Sequence, residues 1–179
     1  ALSNHRQLEH FAVDQALNAF DTPWSNAQIK HDDHGKPELV GDEKFISVSH
    51  HSLKKSCWVM VCLGDQPVGC DIERPRVQLH NIAKRFLSAE EQVNFTTTPM
   101  LCCAWGIKES MFKTIGHDVD FRLDLTVDAI HSSSSESLRA TGKLKGKSSN
   151  WKIWKVTSNE EQGSETIELF AVAGPSDGV

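Results

Sequence analysis

Apolar and polar residues change their spacing along the chain, and these changes divide it into helical and extended segments. In residues 5–20 apolar side chains recur at three- and four-residue intervals, which predicts a helix. Segments 45–49, 57–63 and 68–73 are short apolar or alternating runs, and they predict strands. Residues 31–44 are polar and contain glycine and proline, so we predict a loop there, and a second polar link at 50–56.

The later part of the chain predicts more helices and then a run of strands. Residues 79–86 and 99–115 have helical spacing, and Gly116 stands where helices commonly end. Ser88 and Glu91 have the spacing of a capping box. Segments 137–144, 150–157 and 166–173 alternate apolar and polar residues and predict strands, with a loose tail at 174–179. Helices mixed with neighbouring antiparallel strands, without a βαβ rhythm, predict an α+β fold.

Composition narrows the class of protein. The 179 residues are 39% hydrophobic, enough for the core of one domain or of two small halves. A net charge of -5 argues against nucleic-acid binding. Five cysteines without a Cys-x-x-Cys pair indicate free thiols in a reducing compartment. No stretch reaches the ~18 apolar residues that span a membrane, and no signal peptide opens the sequence, so we expect a cytoplasmic protein without membrane contact.

Carboxylates form the first candidate site. Asp71 and Glu73 stand two residues apart on a predicted strand, so their side chains point to one face. A cation relieves their repulsion, and hard oxygen ligands favour magnesium or calcium, although an ordinary acidic strand face is the simpler alternative. Trp105, Glu109 and Lys113 share one face of a predicted helix. Glu109 is therefore a candidate third ligand and Lys113 a candidate phosphate contact, with a structural Glu-Lys pair as the alternative.

Polar residues that suit phosphate binding lie earlier in the chain. Ser49 and His50 end a predicted strand, where both side chains can meet an anion. Lys36 stands between Gly35 and Pro37 in the predicted loop, with a solvated lysine as the alternative. A serine beside a histidine also suggests a hydrolase, but no Gly-x-Ser-x-Gly elbow occurs in the sequence.

The order of these motifs is more specific than any one of them. Gly-Lys-Pro, a strand ending in Ser-His, Val-Gly-Cys-Asp-Ile-Glu and Trp-Gly-Ile-Lys-Glu-Ser follow one another between residues 35 and 116. In this order they resemble the 4'-phosphopantetheinyl transferase superfamily, and most closely its Sfp-like branch. The resemblance implies two similar α+β halves with antiparallel sheets, related by pseudo-twofold symmetry, at 1–64 and 65–179. The active site would lie in the cleft between them.

The resemblance also implies a reaction and its residues. Such enzymes use Mg2+ to move the phosphopantetheine arm of coenzyme A onto a serine of an apo carrier protein, releasing 3',5'-ADP. Carried over, the residues that hold Mg2+ are Asp71, Glu73 and Glu109. Those that contact coenzyme A are Lys36, Ser49, His50, Lys108 and Lys113, with Arg6 in place of a basic segment that such enzymes usually carry before the first helix. The catalytic residues are Glu109 as the first choice of base, Glu91 as the second, and His50 and Lys113 as stabilisers of developing charge.

Partners follow from the same resemblance. Carrier proteins are acidic, so a basic and apolar patch is expected to receive them. Its candidates are Lys84, Arg85, Phe86, Met111 and Phe112, with a solvated Lys-Arg pair beside core residues as the alternative. A fold of two halves needs no partner to complete its site, which favours a monomer. A catalytically silent relative that binds coenzyme A or a carrier, and an unrelated magnesium phosphohydrolase, are the alternative functions.

Overall fold

The computed structural model describes residues 4–20, 24, 27–53, 56–159 and 166–175. Within these ranges the chain forms four helices and nine strands. Their bounds are α1 Asn4–Asn18, β1 Ile29–His31, β2 Pro37–Leu39, β3 Phe45–Leu53, β4 Ser56–Gly64, β5 Gly69–Glu73, α2 Gln78–Phe86, α3 Ala89–Asn94, α4 Thr98–Ile115, β6 Leu125–Ser132, β7 Ser137–Leu144, β8 Lys147–Asn159 and β9 Thr166–Gly174.

The strands form two antiparallel sheets, which confirms the predicted α+β class. Across the described residues the first sheet has the order β1-β2-β3-β4 and the second the order β5-β9-β8-β7-β6. β3 and β4 form a hairpin that pairs from Phe45 opposite Gly64 to Leu53 opposite Ser56. The chain passes from the first sheet to the second at residues 65–68, beside the boundary predicted between the halves. The pseudo-twofold relation of the halves stays a prediction.

Two predictions about the first half were wrong. The link predicted at 50–56 begins later, because β3 continues to Leu53 and pairs with β4 throughout. A strand in a half-exposed hairpin can carry polar side chains on alternate positions, so the histidines and serines there did not end it. The loop predicted at 31–44 contains β2, and β1 and β2 have only three residues each, too few to show a period. Residues 54–55, and the predicted tail from 176 onward, lie outside the described residues.

Helix α4 is the centre of the hydrophobic core. It begins at the cap residue Thr97, whose side chain accepts from the Met100 amide, and it ends at Gly116, which has a φ of 100°. Most of its side chains are buried against the second sheet, and Trp151 of β8 is the largest residue in this core. At Gly69 β5 passes so close that a Cβ there would lie 1.8 Å from the Ser110 carbonyl oxygen. None of the described helices is long and apolar enough to cross a membrane.

Hydroxyl groups join the two sheets at β5. The amides of Cys70 and Ile72 donate to the side-chain oxygens of Ser47 and Ser49 on β3, at 3.0 and 3.3 Å. Because β5 is an edge strand of the second sheet, these hydroxyls take the place of the backbone acceptors that another strand would offer. A small apolar cluster contains side chains of both sheets, with members Leu53, Trp58, Met60, Ile72, Val156, Ile167, Leu169 and Ala171.

Candidate active site

Strand β5 places two carboxylates at the junction between the sheets. Asp71 and Glu73 are both buried and alternate with Ile72, which packs into the apolar cluster on the other face. Asp71 faces α4, where a Cβ built on Gly106 would lie 3.6 Å from its Oδ2. Since glycine has no side chain, the helix approaches this carboxylate closely, and Glu109 follows one turn later on the same side of α4.

One oxygen of Asp71 is held and the other is open. Oδ1 accepts from the Ser49 hydroxyl at 2.8 Å and from the Lys113 ammonium at 3.0 Å. Lys113 also donates to the Cys70 carbonyl oxygen at 2.9 Å. Within the described residues Oδ2 accepts no hydrogen bond. Asp71 is therefore fixed in place with one oxygen available to a cation or a donor group.

The environment of the Ser49 side chain differs from the phosphate-binding position that the sequence predicted. Its side chain is buried, and its hydroxyl is used inside the protein, donating to Asp71 and accepting from the Ile72 amide. The predicted phosphate contact would require the hydroxyl to leave both bonds. The structure thus gives Ser49 a part in positioning Asp71, because its parity on β3 turns it towards β5.

The two histidines after Ser49 point to opposite sides of β3. His50 is half-exposed, with Nε2 3.3 Å from Glu9 Oε1 on α1, and it lines a groove of about 540 Å³. Arg6 is also exposed on α1. Contacts of His50 and Arg6 with coenzyme A stay predictions. His51 lies on the same side as Ser49, with Nδ1 3.0 Å from Glu73 Oε1. Sequence reasoning missed His51, although the two-residue period of a strand would have placed it beside Ser49.

Glu73 is the most heavily bonded carboxylate of the site. It accepts from His51, from the Arg74 amide at 2.9 Å and from the Arg76 guanidinium at 3.1 and 3.2 Å. Burial by itself would raise the pKa of Glu73, but these hydrogen bonds and the charge of Arg76 hold the pKa below its ordinary value. Glu73 is therefore an ionised carboxylate with its own cation.

The pKa of Glu109, unlike that of Glu73, lies above the ordinary value of a glutamate. Burial, followed by the negative charge of Asp71, raises the pKa of Glu109 to about 7, with Lys113 acting in the other direction. Its carboxylate makes no hydrogen bond with any residue that the structure describes. A half-buried carboxyl group that accepts no hydrogen bond from the described residues, next to another carboxylate, is suited to accept a proton near neutral pH or to bind a cation.

Two lysines border a small pocket, and one of them, Lys113, is the lysine that binds Asp71. Lys36 Nζ donates to the Thr114 carbonyl oxygen at 3.1 Å, in the last turn of α4, where backbone acceptors lack helical partners. The pocket has a volume of about 160 Å³, and its walls include Lys36, Lys113 and the backbone at Gly116. Lys36 precedes β2 of the first sheet, and Lys113 belongs to α4, which packs on the second sheet. With these two cations in its walls, the pocket can attract an anionic group.

A sequence model of the 4'-phosphopantetheinyl transferase superfamily matches residues 67–169, more than half of the chain. The chain belongs to this superfamily. It is also 28% identical over 122 residues to 4'-phosphopantetheinyl transferase Sfp of Bacillus subtilis (strain 168), which covers 64% of this chain and 52% of the relative. The chain thus spans about half the length of the curated relative it matches. No solved structure matches.

For a member of this superfamily a divalent metal is expected, and the donor set is suitable. The open oxygens are the Oδ2 of Asp71 and the carboxylate of Glu109, both hard donors, and Lys113 balances the charge of Asp71. Among the described residues no three His, Cys, Asp or Glu side chains already form a cluster that could hold an ion. The residues fit a cation such as Mg2+, which keeps water ligands and takes others from a substrate phosphate.

Two predicted transferase residues form a buried pair. Lys108 is completely buried, and its Nζ donates to Glu91 Oε2 at 2.7 Å and to the carbonyl oxygens of Phe86 and Phe121 at 2.7 and 2.8 Å. Glu91 is buried as well and accepts from the Val127 amide at 2.8 Å. Neither side chain is open to solvent in this arrangement. The contact of Lys108 with coenzyme A and the proton transfer to Glu91 stay predictions, and each would require the pair to open.

The predicted docking patch for a carrier is also smaller than expected. Phe86 and Met111 are buried in the core and offer no surface, because the helical period turns them inward. Lys84 and Arg85 are exposed on α2, and Phe112 is partly buried beside the lysine-bordered pocket. The basic half of the patch remains available on a helix that starts a few residues after Glu73.

Proposed function

We propose that the protein transfers the 4'-phosphopantetheine arm of coenzyme A to a serine hydroxyl of an apo carrier protein and releases 3',5'-ADP. The observation that carries this proposal is the position of Lys113, which binds Asp71 Oδ1 and also borders, with Lys36, the small pocket. Asp71 Oδ2 and the Glu109 carboxylate accept no hydrogen bond from the described residues. Membership of the superfamily and the printed name of the Bacillus relative support it.

Each residue near the pocket has a part that its geometry favours. Lys36 and Lys113 bind coenzyme A phosphates, and His50 contributes from the adjoining groove. Asp71 and Glu109, with Glu73 nearby, hold Mg2+, which when bound neutralises charge on the pyrophosphate. Glu109 is the first choice to accept the proton of the carrier serine, since its carboxylate accepts no hydrogen bond from the described residues and stands beside Asp71.

The transfer forms one bond at phosphorus and breaks another. The serine oxygen attacks the phosphorus nearest the pantetheine, and the bond from that phosphorus to the bridging oxygen of the pyrophosphate breaks. The bridging oxygen leaves with 3',5'-ADP, and Lys113 stabilises the negative charge that develops there once the ammonium turns from Asp71 to the phosphates.

The carrier is proposed to dock on the exposed basic residues of α2. Lys84 and Arg85 complement an acidic carrier surface, and α2 begins close to the carboxylate site. The five cysteines are free thiols, which supports a cytoplasmic location for the reaction. A single copy of the chain is proposed to be sufficient, because all the residues named above come from one chain.

The deciding experiment incubates the protein with coenzyme A, Mg2+ and an apo carrier, and records the carrier's intact mass. We expect a gain of one phosphopantetheine that disappears in Asp71→Ala and persists in Asp128→Ala, an exposed aspartate on β6. Absence of any gain with fatty-acid, polyketide and peptide-synthetase carriers, despite coenzyme A binding, would identify a silent relative. Hydrolysis of coenzyme A without a protein acceptor would identify a phosphohydrolase.

A further inference from the structure

The hairpin of β7 and β8 has a charge unlike that of the rest of the chain. Residues 137–159 include six of the 19 lysines and arginines and none of the 24 acidic residues. The hairpin therefore has a formal charge of +6, whereas the whole chain has -5. All six cationic side chains are exposed, and none belongs to the candidate active site. They are Arg139, Lys143, Lys145, Lys147, Lys152 and Lys155.

The register of the strands places three basic side chains in one row. His131 of β6 pairs with Arg139 of β7, and Arg139 pairs in turn with Lys152 of β8. Side chains of paired residues share one face of a sheet, so the row crosses three strands. Trp154 follows Lys152 by two residues, which places it on the same face, and its exposed fraction is 39%. These four residues define the basic face.

Two like charges stand directly opposite each other on the basic face. Side chains at paired positions have Cβ atoms about 4.5–5.5 Å apart, and like charges placed in this way destabilise a sheet. Arg139 and Lys152 form such a pair. Neither side chain forms an ion pair or a hydrogen bond with any residue that the structure describes. An acidic partner on the basic face would relieve their repulsion.

The basic face is turned away from the candidate active site. Trp151 and Ile153 of β8, which alternate with the residues of the basic face, are buried in the core around α4. Asp71 lies on that α4 side as well, since Val172, its partner on β9, belongs to the same core. A carrier domain with its serine at Asp71 would therefore lie on the other side of this sheet.

The outer side of the sheet is covered at β9 and open at β7. Leu169 and Ala171 of β9 pack with Trp58 and Met60 of β4. No described helix or strand covers the row of basic side chains, which are exposed. Trp154 pairs with Ala171 and so stands at the border between the covered and the open part. The open part thus combines an exposed indole with neighbouring cations.

We propose that the basic face docks an acidic protein surface other than the carrier domain that reacts. Tryptophan and arginine are the side chains that most often supply binding energy at protein interfaces, and complementary charge selects an acidic partner. A protein contact can be confined to the basic face. A nucleic acid would extend onto the rest of the chain, where all 24 acidic residues would repel it. This docking is independent of the transferase function proposed above.

The test measures binding of a fluorescein-labelled random copolymer of glutamate and tyrosine to the full chain by fluorescence anisotropy. Labelled poly-glutamate, which lacks the aromatic ring, is the companion probe. The variants are the double variant Arg139→Gln with Lys152→Gln and the single variant Trp154→Ala. The matched control, Lys30→Gln with Arg122→Gln, removes the same charge from two exposed positions outside the hairpin. Circular dichroism checks that each variant is folded.

We expect the Arg139 and Lys152 double variant to bind both polymers about tenfold more weakly, because two charge contacts are lost. Trp154→Ala is expected to weaken binding of the copolymer by about fivefold and to leave binding of poly-glutamate unchanged. The control is expected to stay within about twofold of wild type, since charges more than a Debye length away are screened.

The inference is overturned if the control weakens binding as much as the Arg139 and Lys152 double variant, because the polymers would then respond to net charge alone. Tighter binding of an oligothymidylate or of phosphatidylserine vesicles to the same face would also overturn it, since the partner would be a nucleic acid or a membrane. If the double variant does not fold, Trp154→Ala decides, because unchanged affinity for the copolymer would contradict docking on this face. Failure of the wild type to bind the copolymer would refute this inference and leave the carrier-mass experiment unaffected.

Discussion

Replacing Lys108 by methionine tests whether its buried pair with Glu91 is structural. The ammonium group donates to the Glu91 carboxylate and to the Phe86 and Phe121 carbonyl oxygens, all within 2.8 Å, and no part of the side chain is exposed. Methionine fills most of the volume of the lysine stem but donates no hydrogen bond. The substitution therefore leaves a buried carboxylate without its cation and two carbonyl groups with one donor fewer.

The expected loss follows from this environment. Removing one member of a buried ion pair typically costs about 3–5 kcal/mol of folding free energy. Glu91 keeps donors from the Ser88 amide at 2.7 Å and the Val127 amide at 2.8 Å, which still stabilise its charge. The loss is therefore placed at the lower end of this range, at about 3 kcal/mol.

Urea unfolding at pH 7, followed by tryptophan fluorescence and far-ultraviolet circular dichroism, measures these differences. Lys84→Met is the matched control, because Lys84 is exposed on α2, and its effect is expected to stay within about 0.5 kcal/mol. A loss below about 1 kcal/mol for Lys108→Met would refute the reasoning. Lys108 would then be free to leave the pair, as its predicted contact with coenzyme A requires.

Three further perturbations test the candidate site and its junction. In the ion-free protein the raised pKa of Glu109, about 7, means that this group favours the folded state fully below its unfolded pKa near 4.5 and loses that contribution as the pH rises through about 7. After allowance for partial solvent access, Glu109→Gln is expected to be about 1–2 kcal/mol more stable than wild type at pH 8 and equal to it at pH 4 by urea unfolding. Ser49→Ala leaves the Ile72 amide without an acceptor and is expected to lose about 1–3 kcal/mol in the same assay. Gly69→Ala places a Cβ 1.8 Å from the Ser110 carbonyl oxygen, so we expect little folded protein and a steep drop in thermal midpoint.

Each of the three variants, Glu109→Gln, Ser49→Ala and Gly69→Ala, has its own control or its own contradicting result. Glu90→Gln checks that any pH effect belongs to Glu109, and parallel pH profiles for wild type and Glu109→Gln would contradict the assigned pKa. Ser132→Ala, at an exposed serine, is expected to leave stability unchanged. A Ser49→Ala protein as stable as wild type would show that water replaces the hydroxyl at the junction. Normal stability of Gly69→Ala would mean that β5 and α4 can separate.

Periodicity and local chemistry were sufficient for much of the fold. The long apolar run and the glycine at its end predicted α4, and the capping box at Ser88 was confirmed with both of its reciprocal hydrogen bonds. The two-residue spacing placed Asp71 and Glu73 on one face of β5. These features depend on contacts between residues close in sequence, so a single sequence contains the information that determines them.

The roles of individual side chains depended on contacts between distant segments. Lys108 and Glu91 belong to recognisable motifs, yet the core closes over both of them. Ser49 proved to support a carboxylate twenty-two residues away, and His51 proved to contact Glu73. No pattern along the chain states which polar group will be buried or which oxygen will be taken by a neighbour. The sequence by itself therefore determined most of the elements and the order of the site's residues, but not the short strands β1 and β2 or the full length of β3. Only the packing of β3, β5 and α4 decided which of these residues keep atoms open to a ligand, because burial and hydrogen bonding are properties of the folded chain.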